Sequence, residues 1–385
     1  MRILILGGDG YLGWPTAMHF SNHGHDVAIA DNMVKRHWEE QMGVSPLFEI
    51  KNIDERISSW KNITKNNIKL YKGDLASSNR FTYKIIKEFN PEAVVHYAEQ
   101  PSAPFSMIDR ERCLGTTVNN INSTINLIFA IQKHNPNIHI IKLGTMGEYG
   151  TPNIDIEEGW IDINHNGRSD KMLYPKKPGS FYHCSKVADS VYLEFVCRSW
   201  GLKVTDLNQG VVYGIDTKET LLDNSLATSF HYDSIFGTVL NRFMTSAVME
   251  KPLLIYGNGS QTRGFLNIHD TIKCIELSIL NPPEKGEFRV FNQFTEQYSI
   301  AELAKLVVNA SKSIGIDSKI LNIDNPRVEQ EDHYYNAKHS NLESLGLQPI
   351  LLKDKILITM LKKIKNNAKS ISSKLLEPNV RWNQK

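Results

Sequence analysis

The residues best suited to acid–base chemistry lie in the segment YHCSK at positions 182–186. Its tyrosine and lysine, Tyr182 and Lys186, are four positions apart and would share one face of a helix. An unperturbed tyrosine has a pKa of about 10, and a cation about 4 Å away contributes roughly 4 kcal/mol at an effective dielectric constant of about 20, or about three pKa units. The spacing therefore predicts a group that takes a proton from a hydroxyl near neutral pH and later returns it.

A threonine and a glutamate extend this candidate site. Thr145 ends a predicted strand, and ligands of open parallel sheets lie beyond the carboxyl ends of the strands. We therefore expect the Thr145 hydroxyl to share a proton with Tyr182. Glu148 follows in the same segment and is a candidate acid or base for a neighbouring carbon. Because the Tyr-x-x-x-Lys spacing also occurs by chance on helices, its interpretation depends on a cofactor site elsewhere in the chain.

A dinucleotide site is predicted at the N-terminus. The apolar run MRILIL is followed by a turn and a helical pattern, with glycines at Gly7, Gly10 and Gly13. Such glycines permit a tight turn and let backbone N–H groups approach a pyrophosphate at the helix N-terminus. The second predicted strand ends in Asp31, whose carboxylate suits a ribose diol and favours NAD over NADP. Lys35 and Arg36 could accept a phosphate, so they complicate this choice.

Further cofactor contacts are expected where later strands end. An Asp-Leu pair after the third strand could hold an adenine, and a valine after the sixth could form a wall against the nicotinamide. Asn119 lies in an amide-rich helix, although it could also be a polar surface residue. The complete set of additional cofactor-binding candidates is Tyr11, Leu12, Asn32, Asp74, Leu75, Tyr97, Asn119, Tyr182, Lys186, Gln209 and Val212.

The composition is that of an ordinary soluble globular protein. The chain has 385 residues, of which 41% are hydrophobic and 22% charged, and its formal net charge is +2. The charge balance gives no sign of a nucleic-acid partner, and the four cysteines have neither metal-ligand spacing nor a disulfide framework, so we expect no metal. The first strand starts at Met1 and no apolar run is long enough for a bilayer, which predicts a cytoplasmic protein without membrane insertion.

The order of elements predicts an α/β fold. Strands and helices alternate over the first two hundred or so residues, which is typical of a Rossmann-type doubly wound parallel sheet. We expect an NAD-binding domain at 1–214, with return segments at about 264–295 that bring residues 264–270 and 288–292 back to the sheet. Residues 215–263 and 296–385 would form a smaller, interleaved C-terminal lobe that binds a UDP-sugar.

Taken together, Thr145, the Tyr182/Lys186 pair and the glycine-rich turn resemble the extended short-chain dehydrogenase/reductase superfamily, which includes nucleotide-sugar epimerases and dehydratases. The loop GNGSQTRGFLNIHD is similar to the substrate-lobe signature of these enzymes. The resemblance implies that Arg263 and Arg327 bind a diphosphate, although each could be a surface arginine. The substrate-binding candidates that it implies are Gln100, Thr145, Gln209, Thr238, Asn241, Arg242, Tyr256, Gln261, Arg263 and Arg327.

A narrower resemblance rests on longer segments, above all TMGEYGTPNIDIEEG and VFNQFTEQ. They are similar to the branch of the superfamily that makes UDP-sulfoquinovose from UDP-glucose and sulfite with tightly held NAD. The resemblance implies that Tyr182, helped by Thr145 and Lys186, takes the C4 hydroxyl proton while NAD takes the C4 hydride. Glu148 or His183 would then remove the C5 proton as the C6 hydroxyl leaves, sulfite would add at C6, and the C4 ketone would be reduced again.

The chain departs from related patterns at two positions. Ordinary 4,6-dehydratases place Asp-Glu directly after the threonine, whereas this chain has Met146 and Gly147 before Glu148, so the acid for the C6 hydroxyl is unidentified. Plant-like members of the narrower branch carry an arginine where Pro101 stands. His183 has a second interpretation as a packing residue of its helix.

Several alternatives stay open. An NDP-sugar 4-epimerase or 4,6-dehydratase would share every cofactor and Tyr/Lys feature, and a non-catalytic nucleotide-binding sensor is the third class. The sequence does not decide between free sulfite and a sulfite-delivering protein, or between a sulfolipid and a glycan as the destination of the product. A homodimer is expected, as in related enzymes.

Overall fold

The computed structural model describes residues 1–327, 334–378 and 380–382. The strands in these residues are β1 (Arg2–Leu6), β2 (Asp26–Asp31), β3 (Ile68–Lys72), β4 (Ala93–His96), β5 (His139–Thr145), β6 (Trp160–His165), β7 (Arg168–Leu173), β8 (Lys203–Gln209), β9 (Val211–Tyr213), β10 (Leu253–Tyr256), β11 (Thr262–Asn267), β12 (Phe288–Gln293), β13 (Glu296–Ser299) and β14 (Ile320–Ile323). The helices are α1 (Gly13–Asn22), α2 (Val34–Met42), α3 (Ile53–Thr64), α4 (Asn79–Phe89), α5 (Ala103–Ser106), α6 (Arg110–His134), α7 (Phe181–Trp200), α8 (Val239–Val248), α9 (Ile268–Leu280), α10 (Ile300–Lys312), α11 (Asn341–Ser344) and α12 (Asp354–Asn366).

Seven parallel strands form the central sheet, in the spatial order β12-β8-β5-β4-β1-β2-β3. The order reverses between β1 and β4, and such a reversal opens a crevice at the carboxyl ends of the strands. The predicted Rossmann-type doubly wound α/β fold is confirmed. The reversal also places the glycine-rich turn after β1 at the edge where a dinucleotide binds.

Helices cover both faces of this sheet, which explains why β1 is apolar at every position. Ile3 and Ile5 pack on one face with residues of α1, α3 and α9, whereas Leu4 and Leu6 pack on the other with residues of α4, α6 and α7. All four side chains are fully buried. Alternation of polar and apolar residues is therefore absent from this strand, as expected of a parallel sheet buried on both sides.

The smaller sheets lie beside the central one. Strand β8 gives way at Gly210 to β9, which pairs with β11, and β11 pairs in turn with β13. Of the two segments predicted to return to the central sheet, only β12 does so; the prediction for residues 264–270 is wrong, because β11 extends the small sheet and α9 begins at Ile268. A Cβ on Gly210 would lie 2.6 Å from the carbonyl oxygen of Gly264, so this junction requires close backbone approach.

A β-hairpin and a second core complete the fold. The antiparallel pair β6–β7 was absent from the sequence prediction, although Asn166-Gly167 at its tip, both with positive φ, is a strong hairpin signal. Apolar residues of α8, α10 and α12 pack together as the core of the second lobe. No helix within the described part of the chain is both long and apolar enough to cross a lipid bilayer.

Candidate active site

A cleft of about 900 Å³ lies between the carboxyl edge of the central sheet and the second lobe. Nearly all of the predicted catalytic, cofactor-binding and substrate-binding residues lie on its wall. On the sheet side these are Gly7, Gly10, Tyr11, Leu12, Gly13, Asp31, Asn32, Lys35, Arg36, Asp74, Leu75, Tyr97, Asn119, Thr145, Tyr182, His183, Gln209 and Val212. The second lobe contributes Thr238, Asn241, Arg242, Tyr256, Gln261, Arg263 and Arg327.

The glycine-rich turn is shaped by close backbone contacts. Gly7 has φ +82°, and a Cβ there would lie 2.7 Å from the carbonyl carbon of Tyr97. A Cβ on Gly13 would lie 2.1 Å from the carbonyl oxygen of Gly7, whereas one on Gly10 would meet that oxygen only at 3.5 Å. The fold itself therefore requires Gly7 and Gly13. Gly10 leaves open space beside the helix N-terminus, where a pyrophosphate fits.

Two backbone N–H groups hold the Asp31 carboxylate at the end of β2, one from the glycine-rich turn and one from the residues that follow β2. Its carboxylate accepts the N–H of Asp9 at 2.8 Å and that of Met33 at 2.6 Å. Burial raises the pKa of Asp31, and these two N–H groups partly offset that effect. The carboxylate is thus fixed beside the cofactor turn, where it can accept hydrogen bonds from a ribose diol.

Asp9, which the sequence analysis missed, also binds two arginines. Arg36 donates to the Asp9 carboxylate at 2.7 and 3.1 Å and to the carbonyl of Lys51 at 2.8 Å. The fully buried Arg56 of α3 forms an ion pair with the same carboxylate and lies over the ring of Trp14. The guanidinium of Arg36 is therefore committed to the protein, which suits a cofactor without a 2′-phosphate. The motif DERISSW was the only sequence signal for Arg56.

The predicted acid–base pair lies in the first two turns of α7. The Ser180 hydroxyl caps this helix by accepting the N–H of His183 at 3.2 Å, and the Tyr182 N–H donates to Ser106 Oγ at 3.1 Å. Lys186 is buried one turn later and does not form part of the cleft wall; its Nζ donates to Glu99 Oε2 at 2.6 Å. Burial raises the pKa of Tyr182, and the Glu99 charge raises it further.

Glu148 lies behind the cleft wall rather than in it. Its side chain is fully buried, Oε1 accepts Lys142 Nζ at 3.1 Å and the Thr145 N–H at 3.1 Å, and Oε2 forms an ion pair with Lys176. Burial alone would raise the pKa of Glu148, but the two ammonium groups hold it well below its usual value. The Glu148 carboxylate therefore contacts Thr145 from behind the cleft wall, and this position does not support its prediction as the acid or base.

His183 occupies the space that Gly147 leaves empty. A Cβ on Gly147 would lie 2.2 Å from His183 Nε2, so the imidazole stands directly over the turn that follows Thr145. The Thr145 hydroxyl accepts the Gly147 N–H at 3.2 Å and closes this turn. His183 and Thr145 therefore lie together on the cleft wall, beside Tyr182.

Gln100 is placed in the interior instead of the cleft. Its side-chain oxygen accepts the N–H of Ser102 at 3.1 Å and the Thr116 hydroxyl at 3.4 Å, and its side chain is fully buried. Its backbone N–H donates to Asn120 Oδ1 at 2.8 Å. The structure corrects the prediction that Gln100 contacts substrate, because its interactions fix the loop after β4.

The second-lobe wall carries three arginines. Arg242 donates to the carbonyl of Gly237 at 2.8 Å, and the guanidinium of Arg327 lies 5.7 Å from the Tyr256 ring and 5.3 Å from the Trp382 ring. Arg263 lines the same wall. Three cations on one wall, facing a glycine-rich turn on the other, suit an anionic ligand such as a diphosphate.

Comparison with known proteins agrees with this geometry. Residues 3–292 match the model of the NAD dependent epimerase/dehydratase family. The chain is 50% identical over 381 residues to the chloroplastic UDP-sulfoquinovose synthase of Spinacia oleracea, covering 99% of this chain and 79% of the relative. It is 43% identical over 350 residues to UDP-sulfoquinovose synthase of Sulfolobus acidocaldarius, covering 91% of this chain and 88% of the relative.

A solved structure has the same fold. UDP-glucose 4-epimerase from Bifidobacterium longum, crystallised with NAD+ and UDP, superposes with a TM-score of 0.71 at 20% identity. The superposition covers 96% of this chain and all of the other chain. At this identity the likeness concerns the fold alone.

Proposed function

The chain belongs to the NAD dependent epimerase/dehydratase family, and from this membership and its two curated relatives we propose that it synthesises UDP-sulfoquinovose from UDP-glucose and sulfite. Overall, one sulfite displaces the C6 hydroxyl as water, and the oxidation state at C4 is the same before and after. The proposal rests mainly on the 50% identity to the spinach synthase over nearly the whole chain. The geometry agrees with it, because one cleft contains the glycine-rich turn, Tyr182 and the three arginines of the second lobe.

The residues on the sheet side would hold NAD through the glycine turn and Asp31. Bound NAD would accept hydride from C4 of the sugar and later give it back. Tyr182 would take the proton of the C4 hydroxyl, with Thr145 on the same cleft wall and Lys186 one helical turn further along α7. A positioned acid–base group of this kind contributes about 10²–10⁴-fold to a rate.

His183 is the candidate for the C5 proton. The C4 ketone makes the C5 hydrogen acidic, and the imidazole stands on the cleft wall beside Thr145 and Tyr182. Glu148, the other candidate, is fully buried between two lysines. We therefore assign the proton abstraction to His183. The C6 hydroxyl leaves as water with a proton taken up from solvent, sulfite adds to the C5=C6 double bond at C6, and His183 returns its proton to C5. Tyr182 finally returns its proton to the C4 oxygen.

The wall formed by the second lobe would bind UDP-glucose. Arg263 and Arg327 would contact the diphosphate, with Thr238, Asn241, Arg242, Tyr256 and Gln261 around the nucleotide. On this proposal, residues 1–214 with β12 are the NAD-binding part and the remaining C-terminal segments are the UDP-sugar-binding lobe. The cytoplasmic location stays a prediction, and the spinach relative is described as chloroplastic.

The assembly is proposed to be a homodimer through α6 and α7. Large apolar side chains are exposed on both helices: Leu114, Val118, Phe129, Val191, Tyr192 and Phe195. Residues four apart on a helix share a face, so Leu114 and Val118 form one stripe and Val191 and Phe195 another. A second copy of the same helix pair would cover these stripes. A sulfite-delivering protein is a further proposed partner, and we assign no surface of the described residues to it.

The product distinguishes the proposal from its alternative. The purified protein is incubated with UDP-glucose, with and without free sulfite, and the nucleotides are weighed by mass spectrometry. A sulfonated UDP-sugar that forms only with sulfite supports the proposal. UDP-galactose or a UDP-4-keto-6-deoxy sugar would assign the chain to the 4-epimerases or 4,6-dehydratases. Sulfonated product formed only with an added protein fraction would point to a sulfite-delivering partner.

Two variants accompany this experiment, one at the proposed acid–base group and one control away from the cleft. Tyr182→Phe should retain its dinucleotide and lose turnover by at least about 10²-fold, because only the phenolic oxygen is removed. Tyr83→Phe, on α4 away from the cleft, should turn over normally. Normal turnover of Tyr182→Phe would refute the acid–base assignment.

A further inference from the structure

A buried carboxylate faces the lysine of the catalytic pair. Glu99 follows β4 in the loop at the carboxyl edge of the sheet, and its side chain is 4% exposed. Its Oε2 accepts the Lys186 ammonium at 2.6 Å, and Lys186 is itself 3% exposed. Glu99 also lies on the cleft wall. The ion pair joins residues 87 positions apart in sequence, and the acid–base pair alone would not require it.

The other titratable groups around this ion pair do not replace Glu99. The groups that face it are His96 of β4, Lys142 of β5, Glu148 of the turn after β5, and His183 and Asp189 of α7. Burial lowers the pKa of His96 to about 4, so this imidazole is neutral at pH 7. Burial raises the pKa of Asp189 well above its usual value, which disfavours the charged form of its carboxyl.

The other charged neighbours, Lys142 and Glu148, form ion pairs with groups other than Glu99 and Lys186. Lys142 donates to Glu148 Oε1 at 3.1 Å and to Asp206 Oδ2 at 3.2 Å, and Lys176 pairs with Glu148. These charges compensate one another behind the sheet edge. Glu99 is therefore the carboxylate that forms the ion pair with Lys186.

We propose that Glu99 is a positioning residue of the catalytic site: by holding the Lys186 ammonium it limits how strongly that ammonium stabilises the Tyr182 phenolate. The inference rests on the proposed role of Tyr182 as acid–base group. An ammonium shared with a carboxylate stabilises a nearby phenolate less than a free one does, because the carboxylate repels the phenolate. The raised pKa of Tyr182, caused by burial and then by Glu99, agrees with this arrangement.

The arrangement has a consequence for a reaction that begins and ends at the same C4 oxygen. Tyr182 must accept the C4 hydroxyl proton at the start of the cycle and must still have that proton to donate at the end. A tyrosine with a free lysine beside it favours the first requirement only. With Glu99 in place, Tyr182 holds the proton taken from the C4 hydroxyl more firmly, so it still has this proton when the C4 oxygen needs it in the last step.

The test is the pH dependence of turnover in the holoenzyme with UDP-glucose and sulfite. Glu99→Gln keeps the size of the side chain and removes its charge, so Tyr182 should lose its proton at lower pH. We expect the rising limb of kcat/KM against pH to move down by about one pH unit, which is about a tenfold higher rate at a pH below the wild-type midpoint. Glu99→Asp keeps the charge and should keep the wild-type midpoint. Glu88→Gln, an exposed acid on α4, is the matched control.

Two outcomes would overturn the proposal. The first is a Glu99→Gln profile that coincides with the wild-type profile, even if its maximum is lower, because a merely structural role changes the height and not the midpoint. The second needs no variant of Glu99: the phenolate absorbance of the wild-type protein minus that of Tyr182→Phe should appear only above about pH 8, since an unperturbed tyrosine titrates near about 10. A Tyr182 phenolate at neutral pH would contradict the proposal whether or not Glu99→Gln folds.

The same experiment separates this inference from the proposed function. If the wild-type protein makes another UDP-sugar instead of a sulfonated one, the pH profile is measured on that product, and the expected shift of Glu99→Gln is unchanged. A sulfonated product without a shift would leave the proposed function standing and remove the role of Glu99.

Discussion

The Glu148 carboxylate connects Thr145 to the ammonium groups of Lys142 and Lys176. It accepts the Thr145 N–H and neutralises Lys142 and Lys176 in a place without solvent. Removing one partner of a buried ion pair leaves the other charge uncompensated, which costs about 3–5 kcal/mol. We therefore expect Glu148→Gln to lower the free energy of unfolding by about 3 kcal/mol, at the lower end because Lys142 keeps Asp206. Urea denaturation measures the difference.

Glu157→Gln provides the control for this substitution. Glu157 is adjacent in the fold to the same region but has a half-exposed side chain, paired with Lys338 at 3.6 Å. Exposed ion pairs contribute about 0–1 kcal/mol, so this variant should unfold almost as the wild type does. A Glu148→Gln protein of wild-type stability that fails to turn over would restore Glu148 as a catalytic candidate.

Gly147 offers a test of His183 that does not change the imidazole itself. A methyl group at this position would overlap His183 Nε2, Cδ2 and Cε1, which form the movable end of a side chain. We expect Gly147→Ala to unfold within about 1 kcal/mol of wild type, because the ring can rotate away. Exchange of the C5 hydrogen with deuterated solvent should slow at least about 10²-fold, because the displaced base no longer reaches it.

The matched control is Gly179→Ala, where an added Cβ meets no atom within 4 Å. It should exchange the C5 hydrogen as fast as wild type. Unchanged exchange in Gly147→Ala would remove the imidazole from this step.

At the residue scale, sequence reasoning could find groups whose spacing is local. Tyr182 and Lys186 are one helical turn apart, and the glycines are three apart. Glu99, Asp9 and Arg56 escaped it because their roles depend on contacts across 22 to 87 positions, such as Asp9 with Asp31 and Glu99 with Lys186. A carboxylate in a loop has no pattern of its own, and only the fold shows which cation it faces.

Among the secondary-structure elements, apolar runs predicted the strands of the central sheet well. Each of these strands is buried on one or both faces, so its composition reflects its position. Strand β11 was placed in the wrong sheet. An apolar pattern indicates that a strand is buried, but it does not indicate which strand lies beside it. The exposed hairpin β6–β7 was missed since few of its side chains are buried, and only Asn166-Gly167 marked it.

The segment before α12 is held by hydrogen bonds to a buried aspartate of α9 and a partly buried glutamate of β13. Asp270 accepts the Ile350 N–H at 2.8 Å, and Glu296 accepts the Leu352 N–H at 2.7 Å. Tyr213 donates its hydroxyl to the Ile350 carbonyl at 2.8 Å. Burial, and then the charge of Glu296, raise the pKa of Asp270 to about 7, while the Ile350 N–H partly offsets them. This contact should therefore titrate near neutral pH.

The sign of the effect follows from proton linkage. Folding raises the pKa of the Asp270 carboxyl from about 3.9 to about 7, so between these values the folded protein binds one proton more than the unfolded chain. The contribution of this group to stability thus falls as the pH rises through that window and is constant above it. We expect Asp270→Asn, which has no charge to bury, to lose less stability than wild type between about pH 5 and about pH 8.

Denaturant unfolding at these two pH values measures the difference, with Asp354→Asn on the surface at the start of α12 as the control. The control should follow the wild-type pH dependence. Parallel pH dependence of Asp270→Asn and wild type would mean that the Asp270 carboxyl ionises normally in the folded protein.

At the scale of the whole molecule, the cleft is closed where α2 meets the second lobe. His231 Nε2 lies 3.1 Å from Lys35 Nζ and 2.9 Å from Glu39 Oε1, and His231 Nδ1 lies 3.1 Å from Asp233 Oδ2. Burial alone would raise the pKa of Glu39, but His231 and Lys35 lower it to about 2. Lys35 was predicted to contact the cofactor; here its ammonium also joins the two sides of the cleft.

Helix α7, which carries the proposed acid–base pair, is also part of the surface proposed for dimerisation. Helix α7 is 20 residues long and α6 is 25 residues long, and the two pack side by side. The inner face of α7 carries Lys186 and Ser190, whereas Val191 and Phe195 point to solvent at 53% and 48% exposure. A monomer would leave apolar stripes uncovered along the helix that positions the acid–base pair. Association through these stripes would therefore stabilise both the assembly and the site.

Phe195→Glu tests this surface. A charge buried in a paired copy would be uncompensated, so we expect the wild-type protein to have twice the mass of one chain in light scattering and the variant to have the mass of one chain. Leu280→Glu is the matched control, because Leu280 is 59% exposed at the end of α9, away from α6 and α7, and should leave the dimer intact. If Phe195→Glu remains a dimer, α6 and α7 are not the interface. If the monomeric variant also loses turnover while keeping its dinucleotide, the dimer holds Tyr182 and Lys186 in place, which connects the largest scale of the molecule to its smallest.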